Sequence, residues 1–379
     1  MNKRLITITY LIAGLLGFFY LPHTEAGINK NQFNTPPKSA KPRIRWYWMN
    51  GNVSLPGLEK DLKSMKSVGL AGANLFNIEY GIPEGSVDYM SREWLEKVTH
   101  SARIADKLNL DLGIHNCAGW SSSGGPWIQP EDAMKMVVWS SVKLEGGKEI
   151  NRELPNPTST QGFYKDIAVL AFPCPVDESP ELDDKHLLPH WKEKAAFNKI
   201  QPSSIEKPAS IEQNKENIAV IKKDNILNLT DKFTDDKKLD WKPPEGNWTV
   251  LRFGYTSTGK TNHPALPSGR GLECDKLNRK ALSKHWEGMF KPLLKNLPET
   301  TIDNFRYALI DNYEAGSQNW TKGFPKKFKS HTDYDLLPYL PALTGRVIDS
   351  IAVTERFLWD FRNTIAKLYA KNYYQYFTE

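Results

Sequence analysis

The chain has 379 residues, of which 40% are hydrophobic and 11% aromatic, enough for a real core in two or three domains and too apolar for a disordered tail. Its formal charge of +6 at pH 7 is spread over Lys-rich segments with no run of five like charges, which describes a solvated surface and makes no case for nucleic-acid binding. Cys117, Cys174 and Cys274 permit one disulfide and exclude a disulfide framework, and Cys117, without a base at readable spacing, reads as a small buried filler.

In chain order, Lys3 and Arg4 precede an apolar run over residues 5–21, and Thr24, Glu25 and Ala26 leave small residues near a cut after Ala26. Residues 1–26 therefore read as a signal peptide, with a single membrane anchor as the alternative, and the expected location is secreted or periplasmic. Residues 27–42, with Pro36, Pro37 and Pro42, read as an extended lead-in.

A repeating rhythm then begins. Trp46 to Met49 is a short aromatic strand ending at Asn50, and residues 57–68 carry Leu58, Leu62, Met65 and Val68 at helical spacing. Ala73 to Ile78 is the next strand. A helix follows from the N-cap Ser91, burying Trp94, Leu95, Val98, Ile104, Ala105 and Leu108, and Asp111 to Ile114 closes a βαβαβ series. That order predicts parallel strands with right-handed crossovers over 27–134. From 135 to 256 the chain reads as an inserted β-rich domain, with strands at 137–139, 167–172, 218–221 and 248–253 and a polar loop or linker over 177–217. Residues 257–379 resume the rhythm, with a helix from about Asp275 to Leu293, a strand from Tyr307 to Asp311, and helical spacing from Thr354 through Tyr369. The fold class is α/β, a partial (β/α)8 barrel of four βα units interrupted by the insert; an open doubly wound sheet is the alternative, but Met49-Asn50-Gly51-Asn52 lacks its glycine fingerprint.

The polar residues gather where strands end. His115 and Asn116 stand at the end of an alternating strand and lead into Cys117 to Ile128, where Trp120 and Trp127 offer flat faces beside hydroxyls and amides, a surface suited to a sugar ring. His115 is open to two readings, a sugar-hydroxyl ligand or a hydrogen-bonded structural residue; zinc is disfavoured, because no second ligand stands at metal spacing. Asp311 and Glu314 follow the fourth strand among Gln318, Asn319 and Trp320, an arrangement that suits a glycosidase acid, or, more plainly, a helix cap or a lysine partner. A second carboxylate is not obvious. Glu79, Glu84, Asp88, Glu273 and Asp275 read as surface or ligand-positioning groups, which could also offer oxygens to a hard cation, although no EF-hand spacing is present. Residues 254–261 fit the phosphate-loop pattern G-x-x-x-x-G-K-[ST], yet Pro264 and Pro267 fall where its helix should run, so nucleotide binding is not expected.

Taken together, Trp48 to Asn52, the loop 115–128, Arg252 to Tyr255 with Gly259-Lys260-Thr261, Gly271-Leu272-Glu273, residues 311–320 and the run Tyr334 to Gly345 resemble the catalytic region of glycoside hydrolase family 106, the bacterial α-L-rhamnosidases, in order from about Arg43 to Glu379. The resemblance implies a barrel enzyme that removes terminal α-L-rhamnose from plant-type glycans with inversion, using calcium near the sugar and no nucleic-acid or nucleotide partner. It points to Glu314 as general acid, and Trp48, Asn50, His115, Asn116, Trp120, Asp311 and Asn319, at or just past strand ends, are the candidate substrate-binding residues. Ala118 stands where the family's loop has proline. Family members are also several hundred residues longer, so the sequence is expected to be a fragment without turnover, its general base lying beyond Glu379. A non-catalytic carbohydrate-binding protein is the alternative reading.

Overall fold

The structure, a computed structural model, describes residues 30–174, 186–197, 218, 220–310 and 314–379. Residues 1–26, expected to be a signal peptide, Asp311 and most of the 177–217 segment lie outside these residues. The lead-in is not wholly extended: Lys30–Asn34 is helical and Lys38–Ala40 forms a 3-10 turn.

Strand β1 (Arg43–Met49) alternates, with Trp46 and Trp48 buried on one face and Arg45 and Tyr47 exposed on the other. Helix α1 (Leu55–Ser67) starts at the Ser54 cap, with Pro56 in its first turn, and buries Leu58 and Leu62. Strand β2 (Gly72–Ile78) is followed by helix α2 (Arg92–Lys107), whose Ser91 hydroxyl accepts the Trp94 N–H at 3.1 Å, as the sequence predicts. Strand β3 (Asp111–His115) comes next.

The β-rich segment comprises β4 (Lys135–Glu145), β5 (Ile150–Glu153), β6 (Tyr164–Pro173), β7 (Val220–Ile221), β8 (Leu227–Asn228), β9 (Lys238–Trp241) and β10 (Asn247–Ser257). Strands β4, β10, β6 and β8 form one antiparallel sheet in that order, and β5 pairs with β9.

Where one helix is expected from Asp275, two form: α3 (Arg279–Gly288), capped by Asn278, and α4 (Phe290–Asn296), broken apart at Met289 with φ −114° and ψ −63°. The start is delayed because the Asp275 carboxylate accepts the Leu277 N–H at 3.0 Å and holds 275–277 in a turn. Strand β11 is Phe305–Leu309, two residues earlier than expected. Helix α5 (Phe324–Thr332), strand β12 (Val347–Ile348) and the long helix α6 (Ile351–Tyr369) follow, and the chain stays helical from Ala370 through Thr378. Among the described residues no helix is long and apolar enough to cross a membrane.

Strands β1, β2, β3 and β11 form a parallel sheet in that order, with Met49 opposite Ile78 and Leu309 opposite His115, so their carboxyl ends share one edge. The face carrying Trp46, Trp48, Ala73, Leu75, Leu112 and Ile114 packs against Leu58 and Leu62 of α1, Trp94 and Val98 of α2, and Phe290 and Leu293 of α4. On the opposite face, Arg43 lies over the Tyr307 ring and pairs with Asp111 at 2.7 Å, while Tyr47 and Tyr307 remain exposed. A second core joins the insert to the C-terminal elements, with Leu170, Phe172, Leu251 and Phe253 against Phe324, Phe328, Phe357 and Phe361. Strand β7 is also stitched to β12, Val220 opposite Val347.

Candidate functional site

The site lies at the shared carboxyl edge of β1, β2, β3 and β11, where loops leaving parallel strands converge. After β3, residues 116–125 turn back on themselves, because Gly119 adopts φ +81° and donates its N–H to Asn77 O at 2.6 Å. A side chain there would stand 2.7 Å from the His263 carbonyl carbon, so only glycine lets the two loops touch. The Trp120 N–H then donates to His263 O at 3.2 Å, which turns the indole outward.

Trp120 meets Glu314 there. The indole N–H donates to Glu314 Oε2 at 3.0 Å across 194 residues of sequence, with the carboxylate exposed and the ring partly so. Tyr80, just past β2, tilts against Trp120 with ring centroids 6.0 Å apart. Beside it Glu79 accepts the Gly81 N–H at 2.9 Å and faces the Arg270 guanidinium at 3.6 Å. The exposed edge thus joins an indole and a phenol ring with carboxylates from two different strand ends, a combination able to stack on a sugar face and grip its hydroxyls.

The other candidate residues form the layer beneath. His115 is fully buried, stacked on Phe76 at 4.6 Å, with Nδ1 3.1 Å from Cys117 O. Asn116 is also fully buried; its amide donates to Ser122 O at 2.9 Å and to the Tyr373 hydroxyl at 3.2 Å. Asn319 is spent between the Val137 N–H and Ala195 O, and Asn50, with φ +47°, donates to Ile82 O at 2.7 Å. Trp48 is buried edge-on to Trp46 and Trp94. Of the residues singled out from sequence, the structure brings Trp120 and Glu314 together at the surface, places these five inside, and leaves Asp311 outside the described residues.

Trp127, expected to offer a binding face, instead donates its indole N–H inward to His285 Nδ1 at 3.1 Å. His285 Nε2 lies 2.6 Å from Asn116 O, so the ring is neutral with its proton on Nε2, and burial pushes its pKa down to about 4.

Glu273 and Asp275 are not surface groups, because both are buried. Glu273 pairs with Lys276 at 2.6 Å and accepts from the Ser123 hydroxyl at 2.7 Å, tying the serine-rich loop to the segment before α3. Burial by itself would raise that carboxyl, but the Lys276 ammonium outweighs it and holds the carboxyl below the usual range. Asp275 accepts from Thr321 Oγ1 at 2.6 Å and from the Gln318 amide, and burial raises its pKa. The i,i+3 spacing of Glu273 and Lys276 is the only sequence trace of this network. Cys117 is fully buried, as expected, and all three cysteines are free. In the phosphate-loop pattern β10 ends at Ser257 and Lys260 lies in irregular chain, so no helix opens there to cradle a phosphate. Among the described residues no three His, Cys, Asp or Glu side chains converge at metal-ligand spacing.

The family profile described as alpha-L-rhamnosidase, glycoside hydrolase 106, matches residues 34–379. A protein of Formosa agariphila named "Putative beta-glucuronidase" is 45% identical over 387 aligned positions, which take in 96% of this chain and 31% of that protein. The solved rhamnosidase of Novosphingobium sp. PP1Y superposes with a TM-score of 0.79 at 27% identity, covering 91% of this chain and 45% of that one. The chain therefore spans less than half the length of either relative.

Proposed function

From a chain that belongs to the α-L-rhamnosidase family, glycoside hydrolase 106, we infer a glycosidase site at the strand ends with Glu314 as general acid. The observation that carries this reading is the Trp120 to Glu314 hydrogen bond, which fixes a carboxylate beside an aromatic platform. Glu314 in its acid form would protonate the departing glycosidic oxygen, while Trp120 and Tyr80 hold an apolar sugar face. The substrate class is a glycan ending in α-L-rhamnose, of plant type, and the outcome is inversion, for which a second carboxylate must activate water. Glucuronoside cleavage, named for the Formosa protein, is the competing specificity.

The sheet is read as part of a (β/α)8 barrel. Its strands follow one another in sequential parallel order, and α1, α2 and α4 pack against one face only, whereas a doubly wound sheet carries helices on both. The basic and apolar start, residues 3–21, supports export to the periplasm or beyond. Calcium, which the family resemblance implies, would draw on carboxylate and carbonyl oxygens; among the described residues no three His, Cys, Asp or Glu side chains converge to hold it.

Purified residues 27–379 incubated with nitrophenyl and methyl α-L-rhamnosides, and with the matching β-D-glucuronides, test the reading. We expect any turnover to prefer rhamnosides and Glu314→Gln to lower kcat about 10²- to 10⁴-fold, more severely on the methyl glycoside, whose poor leaving group needs the proton. Equal loss on both leaving groups would remove Glu314 from the acid role. Rhamnose binding without turnover, unchanged in Glu314→Gln, would favour a carbohydrate-binding protein.

A further inference from the structure

The phosphate-loop pattern leaves one lysine that the site does not yet use. Lys260 stands on a backbone fixed from both sides: its N–H donates to Thr258 Oγ1 at 3.3 Å, and its carbonyl accepts the Glu273 N–H at 2.9 Å. Thr261 bridges to Leu272, and the fully buried Asn262 ties Ala118 O, Gly269 O and the Gly271 N–H together. The loop is therefore preorganised. It comes close to the segment that carries Glu314, because the aliphatic stem of Lys260 runs over Gly316, two residues further on: a methyl group there would stand 3.4 Å from Cε and 3.8 Å from Cγ. Gly316 holds φ +83°, a conformation that leaves this surface bare for the stem. The residue is exposed, and the same loop presents His263 and Arg270 to solvent.

We propose that Lys260 binds an anionic group, a uronic carboxylate or a sulfate ester, on the sugar adjoining the rhamnose held at Glu314. This rests on the glycosidase reading of that site and extends it to charged glycans. The lysine suits the task as a compact charge on a long stem that packs over Gly316 and whose backbone is tied by hydrogen bonds on both sides. A cation fixed beside the cleft also raises the local concentration of anionic substrate, an effect that falls with salt.

Equilibrium binding of methyl α-L-rhamnoside, D-glucuronate and D-glucose 6-sulfate to the purified chain separates the possibilities, with wild type, Lys260→Met and Lys260→Arg compared at low salt and at roughly 0.5 M salt. The expected result is that the affinity for an anion relative to the neutral rhamnoside falls about fivefold in Lys260→Met, is kept in Lys260→Arg, and collapses in wild type at high salt. Whether the carboxylate or the sulfate shows the larger loss identifies the natural group. Rhamnoside binding with no Lys260-dependent anion binding would overturn the proposal and leave the Glu314 site standing. Anion binding through Lys260 without rhamnoside binding would remove the rhamnoside reading instead, and no binding of any probe would remove both.

Discussion

His285 shows what a single buried group contributes here. Its neutral ring donates through Nε2–H to Asn116 O and accepts the Trp127 indole N–H at Nδ1, so a second proton would turn an acceptor into a donor facing a donor. Its pKa is lowered from 6.5 to about 4 in the folded chain, so as pH falls through that window the unfolded state binds the proton first and stability drops. The full effect is about 3 kcal/mol, present above pH 6.5 and lost by pH 4. Glu273, held low by Lys276, adds acid lability below the unfolded carboxylate range, whereas Asp275, raised by burial, contributes stability that shrinks as pH rises. Urea unfolding of wild type and His285→Gln from pH 7 to 4 isolates the histidine: the wild-type slope should flatten in the variant, and an unchanged slope would place the titration elsewhere. Nothing in the sequence near 285 marks this residue, because its partners lie 169 and 158 positions away.

At the scale of elements, local signals were strong where they were short-range. The Ser91 cap, the alternation of β1 and the apolar spacing of α2 are carried by neighbouring residues and could be read directly. The break at Met289 could not, since it depends on how α3 and α4 meet the core. The loop 116–125 sits between these cases: its glycines announce a turn, but its shape is set by contact with 262–264. Gly119→Ala places a methyl group against the His263 backbone at a positive φ, and should cost roughly 2–3 kcal/mol while unseating Trp120. Denaturant midpoints together with rhamnoside binding check this, and a variant that loses neither would show that the loop can relax. Ala118, next to Gly119, is fully buried with its methyl directed at Gly269.

Over the whole molecule, the insert and the C-terminal helices share a core. Phe361 is fully buried, 5.2 Å from Phe324 by ring centroids, in the cluster that also holds Phe253 of β10. Phe361→Ala should therefore cost about 3–5 kcal/mol and lower one common transition for both parts. Near-ultraviolet and far-ultraviolet circular dichroism would record that coincidence; two separated transitions in wild type would mean independent domains. The parallel sheet is covered by α1, α2 and α4 on one face and carries Arg45, Tyr47 and Tyr307 exposed on the other.

The sequence alone determined the βαβαβ rhythm, the Ser91 cap and the placement of polar residues after strands, because these follow from side-chain periodicity and turn chemistry within a few positions. It also singled out Trp120 and Glu314, on loops that leave β3 and β11. Only the tertiary structure decided that His115, Asn116, Asn319 and Asn50 lie buried beneath the surface while Lys260 comes to lie beside Gly316. An amide or imidazole has the same donors and acceptors whether it faces a sugar or a carbonyl. Which of the two it meets is fixed by chain segments a hundred or more residues away, and local pattern carries no record of them.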